Sequence, residues 1–307
     1  MYMDYFKLKK YPFGLTPNTE FFCDLEDYHS ALSVLLLSLE NNEGFIKIIG
    51  EVGSGKTLLC RLLLNRLDND RFETAYIPNP DLDASELRKA LAQELNIPFD
   101  SATEISTLNS RINQALLEIS KRGKQLVFIV DEAQCMPDDT LEALRLLTNL
   151  ETESEKLLQI VLFGQPELDE KLNTHRFRHL KQRIVFSYQL RPLTLKETHA
   201  YVFHRLAIAG QTTGNLYSDE AIDYLHRCSG GIPRLINILC HKALLSAYSQ
   251  GKICADKQDM QAAVEDTPAA EQFSDVPAKS YSLVFGVVVA AVAVGLIVDY
   301  FLGLIHL

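Results

Sequence analysis

The chain of 307 residues is long enough for two packed domains, and its 47% apolar and 23% charged residues exclude a disordered polymer. A net charge of −10 excludes a chain whose main task is to coat nucleic acid, because phosphate binding needs net basic surface. The six cysteines (Cys23, Cys60, Cys135, Cys228, Cys240, Cys254) are scattered without a C-x-x-C pair, which argues against a zinc site or a disulfide scaffold and for reduced thiols in a cytosol.

The first ten residues are mixed in polarity, so no signal peptide is expected. Apolar, β-prone runs at residues 45–49, 74–77, 126–130, 158–163 and 184–188 then alternate with amphipathic stretches near 57–67, 84–95, 104–120 and 139–150. Continuous apolar strands separated by helices predict an α/β fold, a parallel sheet covered by helices on both faces, over residues 1–192. The stripe Leu141, Leu144, Leu147, Leu150 is a helix face packed on that sheet. From 193 to 265 the stretches 194–209, 218–228, 233–249 and 255–265 read as helices with no strand between them, a small all-helical domain. Residues 266–280, with two prolines and small polar residues, read as a linker.

Residues 281–305 predict one transmembrane helix. From Leu283 to Val298 there is no polar or charged side chain, and a helix over 283–305 would be roughly 34 Å long at about 1.5 Å per residue, enough to cross hydrocarbon. Lys279 stands before this segment and no Lys or Arg follows it, which puts the N-terminal side in the cytoplasm. Gly286/Ala290 and Ala291/Gly295 have the small-xxx-small spacing of paired membrane helices.

The chemistry concentrates after the first strand. Gly50-Glu51-Val52-Gly53-Ser54-Gly55-Lys56-Thr57 fits G-x-x-x-x-G-K-S/T, with an apolar strand before it and a helix opening at Leu58 after it. Glycines let such a loop curl its amides onto phosphate oxygens, and the helix N-terminus adds its positive dipole end. Lys56 would reach the β- and γ-phosphates of ATP, and Thr57 would ligate Mg²⁺. The apolar run ending at Val130 leads into Asp131 and Glu132, which would face the same crevice. Asp131 would hold the metal, and Glu132 would orient and deprotonate water as general base. Gln165, at the end of the next strand, would sense the terminal phosphate or position water. Lys171, Arg176, Arg178, Lys181, Arg183 and Arg191 form a run without an acid. It is a solvated face, a nucleic-acid contact, or arginines offered to a neighbouring subunit.

Gly230-Gly231-Ile232-Pro233-Arg234 resembles the second-sensor motif of AAA+ ATPases, and with GEVGSGKT and VDEAQ in chain order the likeness covers about residues 40–265. The early aromatic and proline stretch, FGQPEL (163–168) and GGIPRLIN (230–237) are similar to the general secretion pathway protein A family. That resemblance implies a P-loop AAA+ sheet domain followed by a helical lid. It implies a homo-oligomeric ATPase tethered to the inner membrane by one helix. Its partners would be secretion or type IV pilus machinery of the mannose-sensitive haemagglutinin type, with nucleic acid not among them. It assigns Arg234 as second sensor, Gln165 as first sensor and Arg183 as arginine finger ahead of Arg176 and Arg178, and it implicates Phe13 and His29 at the adenine. An initiator-like or transposition-helper ATPase acting on DNA is the alternative. Only a few residues follow the predicted span, so a cell-wall-binding domain beyond it is not expected.

Overall fold

The computed structural model describes residues 2–147, 156–211 and 216–273. In chain order the elements are α1 (Tyr2–Tyr5), α2 (Glu26–Glu40), β1 (Phe45–Ile49), α3 (Lys56–Arg66), β2 (Phe72–Ile77), α4 (Ala84–Glu94), α5 (Ile105–Lys121), β3 (Gln125–Val130), α6 (Asp138–Leu147), β4 (Leu158–Gly164), α7 (Pro166–Leu172), α8 (Arg178–Lys181) and β5 (Phe186–Gln189). The helices α9 (Leu195–Ile208), α10 (Asp219–Ser229), α11 (Pro233–Ser249), α12 (Lys257–Glu265) and α13 (Pro268–Glu271) follow.

The strands form one parallel sheet in the order β2-β3-β4-β1-β5. Every residue of β1 and β4 is buried, which a strand covered on both faces requires. Side chains of a strand alternate between faces. Ile46, Ile48, Val127, Ile129, Val161 and Phe163 therefore join α2 and α3 in one core, whereas Phe45, Ile49, Phe128, Ile160 and Leu162 join α4, α5, α6 and α7 in the other. On this second side Lys47 is buried within β1 and ion-paired with Asp169 of α7.

The helical part shares the first core, so lid and sheet are packed as one body. The N-terminal segment lies on that helical part. Tyr2 Oη is hydrogen-bonded to His241 Nδ1 of α11 at 3.1 Å, and the Lys9 amide donates to Ala209 O at 2.7 Å. The predicted strand at 184–188 forms two residues later, as β5, because the chain joins β1 only after the Val185 amide reaches Phe45 O. Of the predicted helix at 139–150, the described part is α6, and Leu150 lies outside the described residues. The start of the predicted linker is helical: Pro268 takes the first position of α13, where no amide is needed, and Ala270 is fully buried. The predicted membrane segment 281–305 lies outside the described residues, and among those described no helix is long and apolar enough to cross a membrane.

Candidate nucleotide-binding site

The loop after β1 is shaped by its glycines. Gly53 and Gly55 have φ of +81° and +96°, a left-handed conformation that side chains disfavour, and a Cβ on Gly53 would come 2.5 Å from Arg234 Cβ. The Gly50 amide donates to Gly164 O at 3.1 Å, tying the loop to the end of β4. Tyr28 of α2 is buried beside Gly55 and donates to Ser54 O. Lys56 is buried, and its Nζ donates to Gly50 O at 2.7 Å and Glu51 O at 3.0 Å. Burial pushes the Lys56 ammonium below its usual range, against the opposing pull of Glu132 and Asp131. Ser54 Oγ is buried without a partner. The first-turn amides of α3 have no carbonyl within the helix to bond. Val52, Gly53, Gly55, Lys56, Thr57 and Leu58 line a cleft, whereas Gly50, Glu51 and Ser54 do not.

The two acids sit at the end of β3. Asp131 is 2% exposed and accepts hydrogen bonds from the Thr57 hydroxyl and the Glu132 amide. Burial raises its carboxyl above the usual range, with those bonds pulling the other way. A buried carboxylate bonded to a hydroxyl is a half-made cation site. Among the described residues no group of His, Cys, Asp or Glu could hold a metal alone, and Mg²⁺ is the ion that takes one or two protein ligands and leaves the rest to phosphate and water. Thr57 and Asp131 fit that ion.

Glu132 lines the cleft on a left-handed backbone, φ +52°, a conformation that costs a non-glycine residue of order 1 kcal/mol. Gln134 Nε2 and Gln165 Nε2 both donate to Glu132 Oε2, at 2.6 and 3.0 Å, and the Gln165 amide donates to Gln134 Oε1 at 3.0 Å. Burial raises the Glu132 carboxyl, but these two amides and Lys56 outweigh it and hold it below the usual range. Gln165 thus stands at the end of β4, as the sequence predicts, but its amide is spent on the general-base candidate and the residue does not line the cleft.

The lid closes the cleft from the far side. The Arg234 amide donates to Gly53 O at 3.2 Å, and Arg234, Pro233 and Asn237 line the opening. Gly231, with φ of +72°, abuts Leu193, whose carbonyl would lie 2.2 Å from a Cβ there, so the glycine lets the motif dock on the hinge. Phe13 and His29 are absent from the lining: Phe13 packs edge-on against Tyr217, and His29 is exposed beside Asp24. Gly14, Leu15, Thr16, Pro17, Asn18, Phe22 and Tyr28 form that wall instead. Sequence reasoning also missed Gln134, although it stands in VDEAQ; an amide two residues from an acid carries no signal of where it turns.

Three of the six basic residues of the run are held from outside it. Arg176 pairs with Asp138 and Asp139 at 2.9 and 2.6 Å, Lys171 donates to Met136 O at 2.6 Å, and Arg191 grips Glu197 with two bonds of 2.7 and 2.8 Å. Arg178 is exposed on α8, and Arg183 follows that helix, outside the cleft lining.

Residues 39–172, from the end of α2 through the glycine loop, both acids and Gln165 to the end of α7, match a family model described as an AAA domain. Residues 39–172 carry the AAA domain. Its parallel sheet with flanking helices is the P-loop AAA+ fold. Over 251 residues the chain is 43% identical to a General secretion pathway protein A of Aeromonas hydrophila; the match covers 82% of this chain and 46% of that protein, so the chain spans about half the length of its relative. Among solved structures the AAA+ fold is shared with the Aeropyrum pernix ORC1 protein in complex with DNA, at TM-score 0.63, 14% identity and coverage of 85% of this chain and 70% of that one. It is shared with Cdc6p of Pyrobaculum aerophilum at TM-score 0.60, 18% identity and coverage of 80% and 69%. The Aeropyrum pernix ORC2 protein, described as ADPNP-ADP complexes, matches at TM-score 0.58 with 15% identity and coverage of 82% and 72%.

Proposed function

We propose that this chain binds and hydrolyses ATP as a self-assembling, membrane-tethered subunit of envelope machinery. The observation that carries the ATPase reading is the convergence at one cleft of the Lys56 ammonium, the Thr57–Asp131 pair, the Glu132 carboxylate and Arg234. The amides of Gly53, Gly55, Lys56, Thr57 and Leu58 would face the phosphates, and Lys56 would exchange its two loop carbonyls for the β- and γ-phosphate oxygens. Thr57 and Asp131 would hold Mg²⁺, whose charge screens the phosphates when it is bound. Glu132 would take the proton of the attacking water. Both amide bonds fall on its Oε2, so Oε1 is the oxygen turned to that task. Arg234 would meet the phosphates from the lid.

The likeness to a General secretion pathway protein A supports a role in a secretion apparatus or a type IV pilus of the mannose-sensitive haemagglutinin type, and the apolar run 283–298 within the predicted span supports the tether. The fold shared with ORC1 in complex with DNA gives the DNA reading its support. It is the weaker reading, because Arg176, Lys171 and Arg191 of the basic run are held by acids and carbonyls of this same chain.

The test uses the full-length chain recovered from membranes in detergent. Glu132→Gln should keep ATP binding by calorimetry and lose turnover by about 10²–10⁴-fold, the usual worth of a general base, while Lys56→Ala should bind no ATP. Turnover of Glu132→Gln at the unmodified rate would overturn the base assignment. Recovery of the unmodified chain in the soluble fraction would overturn the tether.

A further inference from the structure

Arg205 belongs to α9, in the lid, yet its hydrogen bonds run to the N-terminal wall of the cleft. Its Nε donates to Pro12 O at 2.5 Å, one terminal nitrogen to Gly14 O at 3.4 Å, and the other to Tyr201 Oη at 2.9 Å. The guanidinium lies over the Phe21 ring, 4.9 Å from its centroid. Only 6% of the residue is exposed, and among the described residues no carboxylate pairs with it. A buried cation held by carbonyls and an aromatic face is costly unless those contacts are what it is for.

What it holds is a wall with no regular structure of its own. Residues 14–18 form neither helix nor strand, and they face Val52, Gly53 and Lys56 across the cleft. Two arginines fix this wall. Arg61 of α3, the helix that opens at the phosphate loop, donates to Pro17 O, and Arg205 grips Pro12 and Gly14 from the lid. The end of α9 adds a second tie, because the Lys9 amide donates to Ala209 O at 2.7 Å. With phosphates at Lys56 and Thr57, the part of the cleft lined by Gly14, Asn18, Phe22, Tyr201 and Asn237 is where a nucleoside would lie.

We propose that Arg205 is a positioning residue for the nucleoside half of the cleft, fixing residues 12–18 to the lid so that recognition of base and ribose, but not of the triphosphate, depends on it. The proposal rests on the reading of the cleft as an ATP site. It makes the lid a reader of the nucleoside as well as of the phosphates, through an arginine that sequence patterning does not reveal.

The test compares ATP with inorganic tripolyphosphate, which offers the phosphate loop the same anion without a nucleoside. Affinities are measured by calorimetry with Mg²⁺ on the full-length chain in detergent. The unmodified chain should bind ATP more tightly than tripolyphosphate. Arg205→Ala should weaken ATP by about 10–100-fold, the scale of a lost charged hydrogen-bond group, and leave tripolyphosphate within about threefold. Arg205→Lys keeps the charge but has no fork, and it should lose ATP affinity in the same selective way to a smaller extent. An equal fall for both ligands, or unchanged ATP affinity in both variants, would overturn the proposal. Failure of the unmodified chain to bind either ligand would instead overturn the ATP reading, and the proposal with it.

Discussion

Glu132 spends backbone strain and two amide donors on one carboxylate. The left-handed turn at the end of β3 swings it out of line with Asp131, so the two acids do not compete for one position. Gln134 then fixes it from one side and Gln165 from the other. The two glutamines are themselves joined, since the Gln165 amide donates to Gln134 Oε1 at 3.0 Å; Gln134 therefore ties the carboxylate to the start of α7. Among the described residues Gln134 itself bonds only Glu132, Cys135 and Gln165, none of them in the phosphate loop. Gln134→Ala should consequently lower kcat by about 10-fold, the low end for a lost bond to a charged group, and leave ATP affinity unchanged. Steady-state kinetics beside calorimetry separate the two quantities, and a matching rise in Kd would show that Gln134 shapes the cleft and not the base.

At the scale of elements, the hinge between sheet and lid is an acid–base clamp. Asp27 of α2 accepts from Tyr188 Oη of β5 at 3.0 Å and from the Arg191 amide at 3.1 Å, and Arg191 carries its guanidinium forward to Glu197 in the first turn of α9. The Arg191 bonds and those from Thr194 outweigh desolvation and bring the Glu197 carboxyl down to about 2. A carboxyl lower in the folded than in the unfolded chain contributes stability that is fully present above its unfolded value of 4.5 and fades as pH falls towards 2. Glu197→Gln should destabilise the chain to urea by about 1 kcal/mol at neutral pH, the upper end for a partly exposed pair, and the difference should close between pH 4.5 and 2. A gap that stays constant through that window would mean the carboxylate charge is not what holds the hinge.

Helices were readable from their amphipathic period, and strands most directly where burial is complete. Apart from Lys47 and Gln159, β1 and β4 are apolar because both faces are covered, and α11 is bounded by Pro233 at its first position. β5 escaped by two residues because it is an edge strand with three of its four residues exposed, so no apolar period marks it. In the site, the glycine loop and the two acids could be read because the chemistry fixes their types and spacing. The wall at 14–18 could not, since the side chains that bond its carbonyls, Arg61 and Arg205, come from distant parts of the chain. The resemblance points Phe13 at the base, whereas it is part of the core, edge-on to Tyr217.

For the whole molecule the question is whether one subunit holds a complete site. β1 and β5 are parallel, with Ile46 level with Phe186 and Ile49 level with Gln189. The glycine loop leaves the far end of β1, whereas Arg183 precedes the near end of β5. The length of the strand, about 16 Å at 3.3 Å per residue, separates Arg183 from its own phosphate loop, more than a side chain bridges. An arginine at that place can serve a triphosphate only in a neighbouring subunit. Such a contact is head-to-tail, which builds a ring or a helical array. Arg183→Ala should then lose turnover by about 10³–10⁵-fold, the worth of an arginine that neutralises the transferring phosphoryl group, while ATP affinity stays within a few fold. Lys56→Ala should be inactive for the opposite reason, since it keeps the arginine and lacks the grip. In an equal mixture about a quarter of the contacts join an intact loop to an intact Arg183, so activity should return to about that fraction of the unmodified rate. The return should strengthen with protein concentration, because it depends on assembly. Two variants that stay silent together at concentrations where the unmodified chain turns over would place Arg183 outside the catalytic contact.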